Sequence, residues 1–230
     1  MARTAPAARG FRRALVDHEG LAVVAEIKRR SPSKGDLRPD LDPGELAATY
    51  VTAGAAGVSV LTDVEFFGGS ISDLQAARAA CTAPVLRKDF TVDARDVADA
   101  RLMGADAVLL IAAALEPNEL VELHGLAVEL GLDALVEVHD ERELEVAMSA
   151  GATLVGVNQR DLVTFEVDHD RAVRMAKVIP DGVVTIAESG VRGRDDAAGL
   201  ADAGYDAILV GETLVTAADP SATLRGLLGR

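Results

Sequence analysis

The chain of 230 residues carries 23 basic and 37 acidic side chains, a net charge of −14, with 49% hydrophobic and only 3% aromatic residues. This supplies ample core for one large domain and excludes a nucleic-acid partner, which needs a basic face and stacking rings. The longest apolar run, residues 107–115, is far short of the roughly 20 that cross a bilayer, the N-terminal arginines have no apolar stretch behind them, and a lone Cys81 fits a reducing compartment, so a soluble cytoplasmic protein with no membrane partner is expected.

Residues 1–20 read as a short helical extension. The first apolar run, LAVVAEIK at 21–28, has the alternation of a strand, which puts Glu26 and Lys28 on one face and Ile27 on the other. Further along, Gly54, Gly104, Gly151 and Gly204 recur about every 50 residues. Each closes an amphipathic helical stretch, where glycine reaches left-handed dihedrals without steric cost, and each is followed by a short apolar run. Fifty residues suits two strand-helix units, and further strands lie midway between the glycines, in PVLRKDF, DALVEVH and VVTIAES. The eight strands fall near 21–28, 57–62, 84–88, 106–111, 133–138, 153–158, 183–188 and 206–210, with helix-length stretches such as 117–130 and 140–149 between them. Apolar strands alternating with helices imply a parallel sheet covered by helices. Eight units in this length fit a single-domain (β/α)8 TIM barrel, with a doubly wound open sheet as the alternative.

In such a barrel the active site forms at the C-terminal ends of the strands. Those ends carry Glu26 and Lys28, then Thr62 and Asp63, Lys88, Glu137, Asn158 with Arg160, Glu188-Ser189-Gly190, and Gly211-Glu212. Inward-facing charges are costly unless paired or used, so lysines and glutamates converging from separate strands mark a site. The segments VAEIKRRSPSKG, VLTDVEFFGGS, VLRKDF, LVEVHDERELE, GVNQRDL, AESGV and LVGETL, in that order, resemble the indole-3-glycerol phosphate synthase family of tryptophan biosynthesis. The resemblance runs from about residue 11 to the C-terminus.

The resemblance implies a carboxy-lyase that closes the ring of 1-(2-carboxyphenylamino)-1-deoxyribulose 5-phosphate, releasing carbon dioxide and water, with no cofactor and no metal. It assigns Lys88 as the general acid, its pKa lowered towards neutrality by its neighbours, and Glu137 as a second acid/base. Lys28 positions Lys88 and the substrate anions, Glu26 orients the anilino nitrogen or hydroxyls, and Asn158 holds the reacting oxygen. Ser189 completes the catalytic set. Arg160 forks onto the substrate carboxylate. Phosphate is expected between the seventh and eighth strands, where Ser189-Gly190 and Gly211-Glu212 bring backbone N–H groups close and a short helix begins near Glu212. Glu188 joins these binding residues, and glycine is needed at 211 so that no side chain keeps the anion away. Phe67, Phe90 and Leu109 wall in the aromatic ring. Ser31 lies in a loop after the first strand, mobile when the site is empty, with Arg30 and Lys34 solvated.

The four histidines, His18, His124, His139 and His169, have no metal-ligand spacing, and no GxGxxG or Walker loop offers a nucleotide site. Family members usually carry a longer segment before the first strand, forming helices over the barrel mouth, and GFRRALVDHE resembles its last part. A more open mouth is therefore expected, with residues 29–36 providing more of the cover. A sugar-phosphate isomerase of the same barrel group is one alternative, although it has no use for two lysines and Arg160. A non-catalytic phosphosugar-binding barrel is the other. The chain is expected to act as a monomer or weak oligomer on a small phosphorylated substrate.

Overall fold

The structure is a computed structural model that describes residues 2–230. After α1 (Phe11–Val16) comes β1 (Ala22–Ile27), then a hairpin of β2 (Arg30–Ser31) and β3 (Gly35–Asp36). Strand and helix then alternate: α2 (Pro43–Ala53), β4 (Gly57–Val60), α3 (Ile71–Ala80), β5 (Val85–Arg87), α4 (Ala94–Met103), β6 (Ala107–Ile111), α5 (Pro117–Glu129) and β7 (Asp133–Val138). The second part runs α6 (Glu141–Ser149), β8 (Leu154–Asn158), α7 (Arg171–Met175), β9 (Val184–Glu188), α8 (Arg194–Asp202), β10 (Ala207–Val210), α9 (Glu212–Val215) and α10 (Pro220–Leu227). The eight long strands are all parallel and close in the order β1-β10-β9-β8-β7-β6-β5-β4. This is the single-domain (β/α)8 barrel expected from the sequence, and the open sheet is excluded.

Local chemistry sets the element ends. Asp42, Asp140 and Asp219 each accept a backbone N–H from the first turn of the following helix, satisfying donors the helix itself leaves open. The four repeat glycines have φ between 83° and 110° at the helix ends, as their spacing implied.

Alternation divides the strands between two cores. Val23, Ala25 and Ile27 face the helices, whereas Ala22 and Val24 face the interior with Leu86, Leu109, Leu135, Leu154, Ile186 and Leu209. Two residues further along, Val24, Leu86, Leu135 and Ile186 give way to Glu26, Lys88, Glu137 and Glu188, and Asn158 follows Leu154 by four, all on different strands. The barrel is thus filled with hydrocarbon up to its mouth and capped there by a polar layer.

Placement of the N-terminal segment corrects an expectation. The stretch 10–19, taken as the tail of a mouth-covering extension, lies at the opposite end. Phe11 and Leu15 belong to the interior core, and the Phe11 ring fills the space that the missing side chain of Gly57 leaves. The backbone N–H groups of Arg9 and Arg12 donate to Asp106 and Asp133, at 2.7 and 2.9 Å, where strands begin. Two apolar side chains plug the barrel base because the small residues there, Ala22, Ala107 and Ala207, leave it open. Phe11→Ala should therefore cost about 3–5 kcal/mol, read as a lowered urea midpoint. A loss below about 1 kcal/mol would show that the plug does not hold the base.

Candidate active site

Above the polar layer opens a cavity of about 730 Å³, lined by every residue given a catalytic or binding role from the sequence, whereas the strand-end residues Thr62 and Asp63 do not line it. Lys88, just past β5, extends its ammonium across the barrel to Glu137 Oε2 on β7 and Glu188 Oε2 on β9, each at 3.0 Å. Asn158 on β8 donates from Nδ2 to Glu137 Oε1 at 3.0 Å, and its own Oδ1 accepts the backbone N–H of Arg160. Glu26 and Lys28 form a second ion pair at 2.6 Å. Glu26, Glu137 and Glu188 are all buried.

The protonation pattern differs from the one expected. Burial pulls the Lys88 pKa down, but the charges of Glu137, Glu188 and Glu26 outweigh it, so Lys88 is raised above an ordinary lysine instead of lowered towards neutrality. The group placed near neutrality is Glu188. Burial pushes its carboxyl up, Lys88 draws it down, and Glu137 and Glu26 repel its negative form, leaving it at about 7. Glu137 lies below the usual range because Lys88 and the Asn158 amide offset its burial. Lys28 likewise takes Glu26 as its ion-pair partner, and it is the charge of Glu26 that adds to the field at Lys88.

Two glycines clear the space for these side chains. Any Cβ on Gly156 of β8 would overlap Glu188 Oε1, which is buried without a hydrogen-bond partner among the described residues. A Cβ on Gly211 would overlap Glu26 Oε1 and lie 3.2 Å from Lys28 Nζ. The side chain absent at 211 therefore makes room for an ion pair, a second demand for glycine beside the anion approach expected from the sequence. Gly190 is constrained differently: its φ is +78°, and a Cβ would meet Val167 Cγ1 at 2.7 Å.

The seventh and eighth barrel strands, β9 and β10, end side by side. Ser189 leaves β9 at φ 66°, a left-handed conformation costly for a residue with a side chain. Gln159 Nε2 holds its carbonyl at 2.7 Å. Thr213 Oγ1 donates to Val191 O at 2.6 Å and ties α9 to the β9 loop. The Glu212 side chain points to Lys34, at 3.7 Å across the mouth, so Lys34 has a partner as well as solvent.

The segment after β1 is a folded hairpin instead of a plain loop. Arg29 anchors it by pairing with Asp73 and donating to Gly68 O and Leu41 O, and Ser31 is buried against the cavity. Phe67 and Leu109 line the wall while Phe90 stands 52% exposed at the rim. Sequence reasoning missed Phe66, Leu162 and Phe165, which join that apolar rim. Phe165 lies in an irregular loop at φ 60°, its carbonyl taken by Arg160 Nη1 at 2.9 Å, and no periodicity in the sequence signals it. Gln159 was also missed, although it adjoins Asn158. Among the described residues no cluster of three or more His, Cys, Asp or Glu side chains could hold a metal ion, and no helix is long and apolar enough to cross a membrane.

The chain is 53% identical over 229 residues to indole-3-glycerol phosphate synthase 2 of Streptomyces coelicolor, covering 100% of this chain and 88% of that one. It is 53% identical over 210 residues to indole-3-glycerol phosphate synthase of a Nocardioides species, covering 91% and 81%. Among solved structures, 3-hexulose-6-phosphate synthase from Salmonella typhimurium superposes with a TM-score of 0.71 at 15% identity, covering 90% of this chain and 96% of that one; this likeness concerns the fold alone. A family model described as indole-3-glycerol phosphate synthase matches residues 1–227, and the chain belongs to that family.

Proposed function

We propose that the chain converts 1-(2-carboxyphenylamino)-1-deoxyribulose 5-phosphate into indole-3-glycerol phosphate, with release of carbon dioxide and water. The observation that carries this reading is the Lys88 ammonium, 3.0 Å from both Glu137 and Glu188 at the bottom of the cavity. Its carboxylate partners keep it charged, so it is a loaded proton donor whenever a ketone oxygen enters. As the aromatic carbon attacks the ketone carbon, Lys88 passes a proton to the oxygen, which becomes a hydroxyl. The carboxyl group then leaves as carbon dioxide and its electron pair restores the aromatic ring. In the last step the ring CH2 beside the nitrogen gives up a proton and the hydroxyl leaves as water, forming the carbon–carbon double bond of the indole while the N–H is kept, with Glu137 as acid/base.

Other side chains bind and orient. Glu188, which holds a proton at about neutral pH, is adjacent to Lys88 and able to resupply it. Glu26 and Lys28 orient the ketose chain, and Asn158 holds the reacting oxygen. Arg160, steadied by the Phe165 carbonyl, faces the substrate carboxylate. Phosphate sits between the β9 and β10 ends, against Ser189, Gly190, Gly211 and the first turn of α9 at Glu212, where backbone N–H groups are open. Ser31, Phe67, Phe90 and Leu109 enclose the aromatic ring together with Phe66 and Phe165. The chain would act in the cytoplasm on this small phosphorylated substrate, as a monomer or weak oligomer.

Indole fluorescence during incubation with the carboxyphenylamino-deoxyribulose phosphate tests the activity. Lys88→Met should lose about 10²–10⁴-fold in turnover, the usual contribution of general acid catalysis. A variant retaining more than about a tenth of turnover would remove Lys88 from that role.

Gly211→Ala separates the two explanations for this glycine. Because the new methyl displaces the Glu26–Lys28 pair, kcat should fall at least as much as KM rises. A rise in KM alone would leave phosphate approach as the reason for glycine.

A further inference from the structure

Glu137 uses its two oxygens differently. Oε2 takes Lys88, whereas Oε1 takes the Asn158 amide and lies 3.8 Å from His139 Nε2. His139 follows β7 directly, with its side chain only 13% exposed. Glu143, in the first turn of α6, binds the histidine twice through one carboxylate oxygen: Oε2 accepts the His139 backbone N–H at 2.7 Å and faces ring Nδ1 at 3.0 Å. Asp140 fixes that turn in its own right by capping Glu143 N at 2.8 Å.

This grip determines what the ring presents to the catalytic carboxylate. With a proton on Nδ1 directed at Glu143, the remaining nitrogen faces Glu137 Oε1. That nitrogen, Nε2, is buried and has no hydrogen-bond partner among the described residues. A neutral ring would aim a lone pair at a carboxylate, while a charged ring aims an N–H at it. The charged groups acting on the ring are Glu137 from β7, Glu143 from α6 and Arg171 from α7, whose guanidinium is fixed on the Asn158 carbonyl at 2.9 Å. Lys88 and Glu188 lie beyond Glu137. Burial opposes the imidazolium, Glu143 and Glu137 outweigh burial, and Arg171 works against them, so His139 is raised above an ordinary histidine.

We propose that His139, oriented by Glu143, is a positioning residue for Glu137: the imidazolium keeps the Glu137 carboxylate ionised and turned towards Lys88 and Asn158, and thereby sets the pH at which Glu137 exchanges its proton. The proposal rests on the assignment of Glu137 as the acid/base group. The Glu143–His139–Glu137 line then forms an outer shell that carries charge to the site without touching substrate.

The test uses the full chain as wild type, His139→Asn and Glu143→Gln, with two readouts. The first is the ¹⁵N titration of the imidazoles in ligand-free protein, where only four histidines need assignment. In wild type, His139 should titrate above about 6.5, and Glu143→Gln, which keeps an acceptor for Nδ1–H but removes the charge, should lower it by about one pH unit. The second is the pH profile of kcat. Removing a cation beside a carboxylate raises the carboxylate pKa, so the limb governed by Glu137 should move to higher pH by about one unit in His139→Asn, and in the same direction in Glu143→Gln. Superimposable profiles for wild type and His139→Asn would overturn the proposal, as would a His139 ring in wild type that stays neutral down to about pH 5.5. An inactive wild type would overturn the assigned reaction instead, while the imidazole titration, read without substrate, would still decide the pairing.

Discussion

One buried ammonium organises the mouth of this barrel. Lys88 reaches two carboxylates from different strands at 3.0 Å each, and an ion withdrawn from water without such partners would cost several kcal/mol. The requirement runs in both directions: neither Glu137 nor Glu188 is tolerable in the barrel unless Lys88 stands between them. Three strands thereby have their interior ends specified by one charge cluster. The parallel registers then bring in what lies beside them, with Asn158 opposite Glu188 and Ile111 opposite Glu137.

Counting charge across the layer shows why one proton is held back. Glu26, Glu137 and Glu188 face the ammoniums of Lys28 and Lys88, leaving one negative charge in excess if every group ionises. The proton goes to Glu188, where Oε1 has no donor and burial is nearly complete. For this group the folded pKa exceeds the unfolded one, so the folded protein keeps a proton that the unfolded chain has released over roughly pH 4.5 to 7. Its contribution to stability is fully present below that window and lost as pH rises through about 7. Reserving a proton near neutrality is also what proton-transfer chemistry needs. Stability and function therefore draw on the same excess carboxylate, with Gly156 and Gly211 as the steric condition for packing it.

Much of this was readable from the chain. Glycines spaced about 50 residues apart located seven of the eight strands, four after them and three between, because the helix-ending conformation is a local property of one residue, and the first strand was legible as an apolar run. Strand alternation placed Glu26 and Lys28 on one face for the same reason, and the strand ends supplied the cavity residues. What escaped the sequence depends on contacts between distant segments. The seat of Phe11 under the barrel follows from the small residues of other strands, and the hairpin after β1 is fixed by Asp73, far along the chain. The direction of the Lys88 shift required knowing that three carboxylates converge on it, where burial alone argues the other way. The second demand on Gly211, room for Glu26 and Lys28, is set by the β1–β10 pairing and is invisible in the local motif.

The most direct test of this account is the ionisation of the buried carboxyls, followed by ¹³C NMR of glutamate labelled at the side-chain carboxyl in the ligand-free protein, with Glu188 assigned by Glu188→Gln. The account predicts that Glu188 titrates at about pH 7 while Glu137 stays ionised well below it. A Glu188 resonance already ionised at about pH 5, near the ordinary glutamate range, would contradict it, because burial and the neighbouring carboxylates would then not be holding its proton.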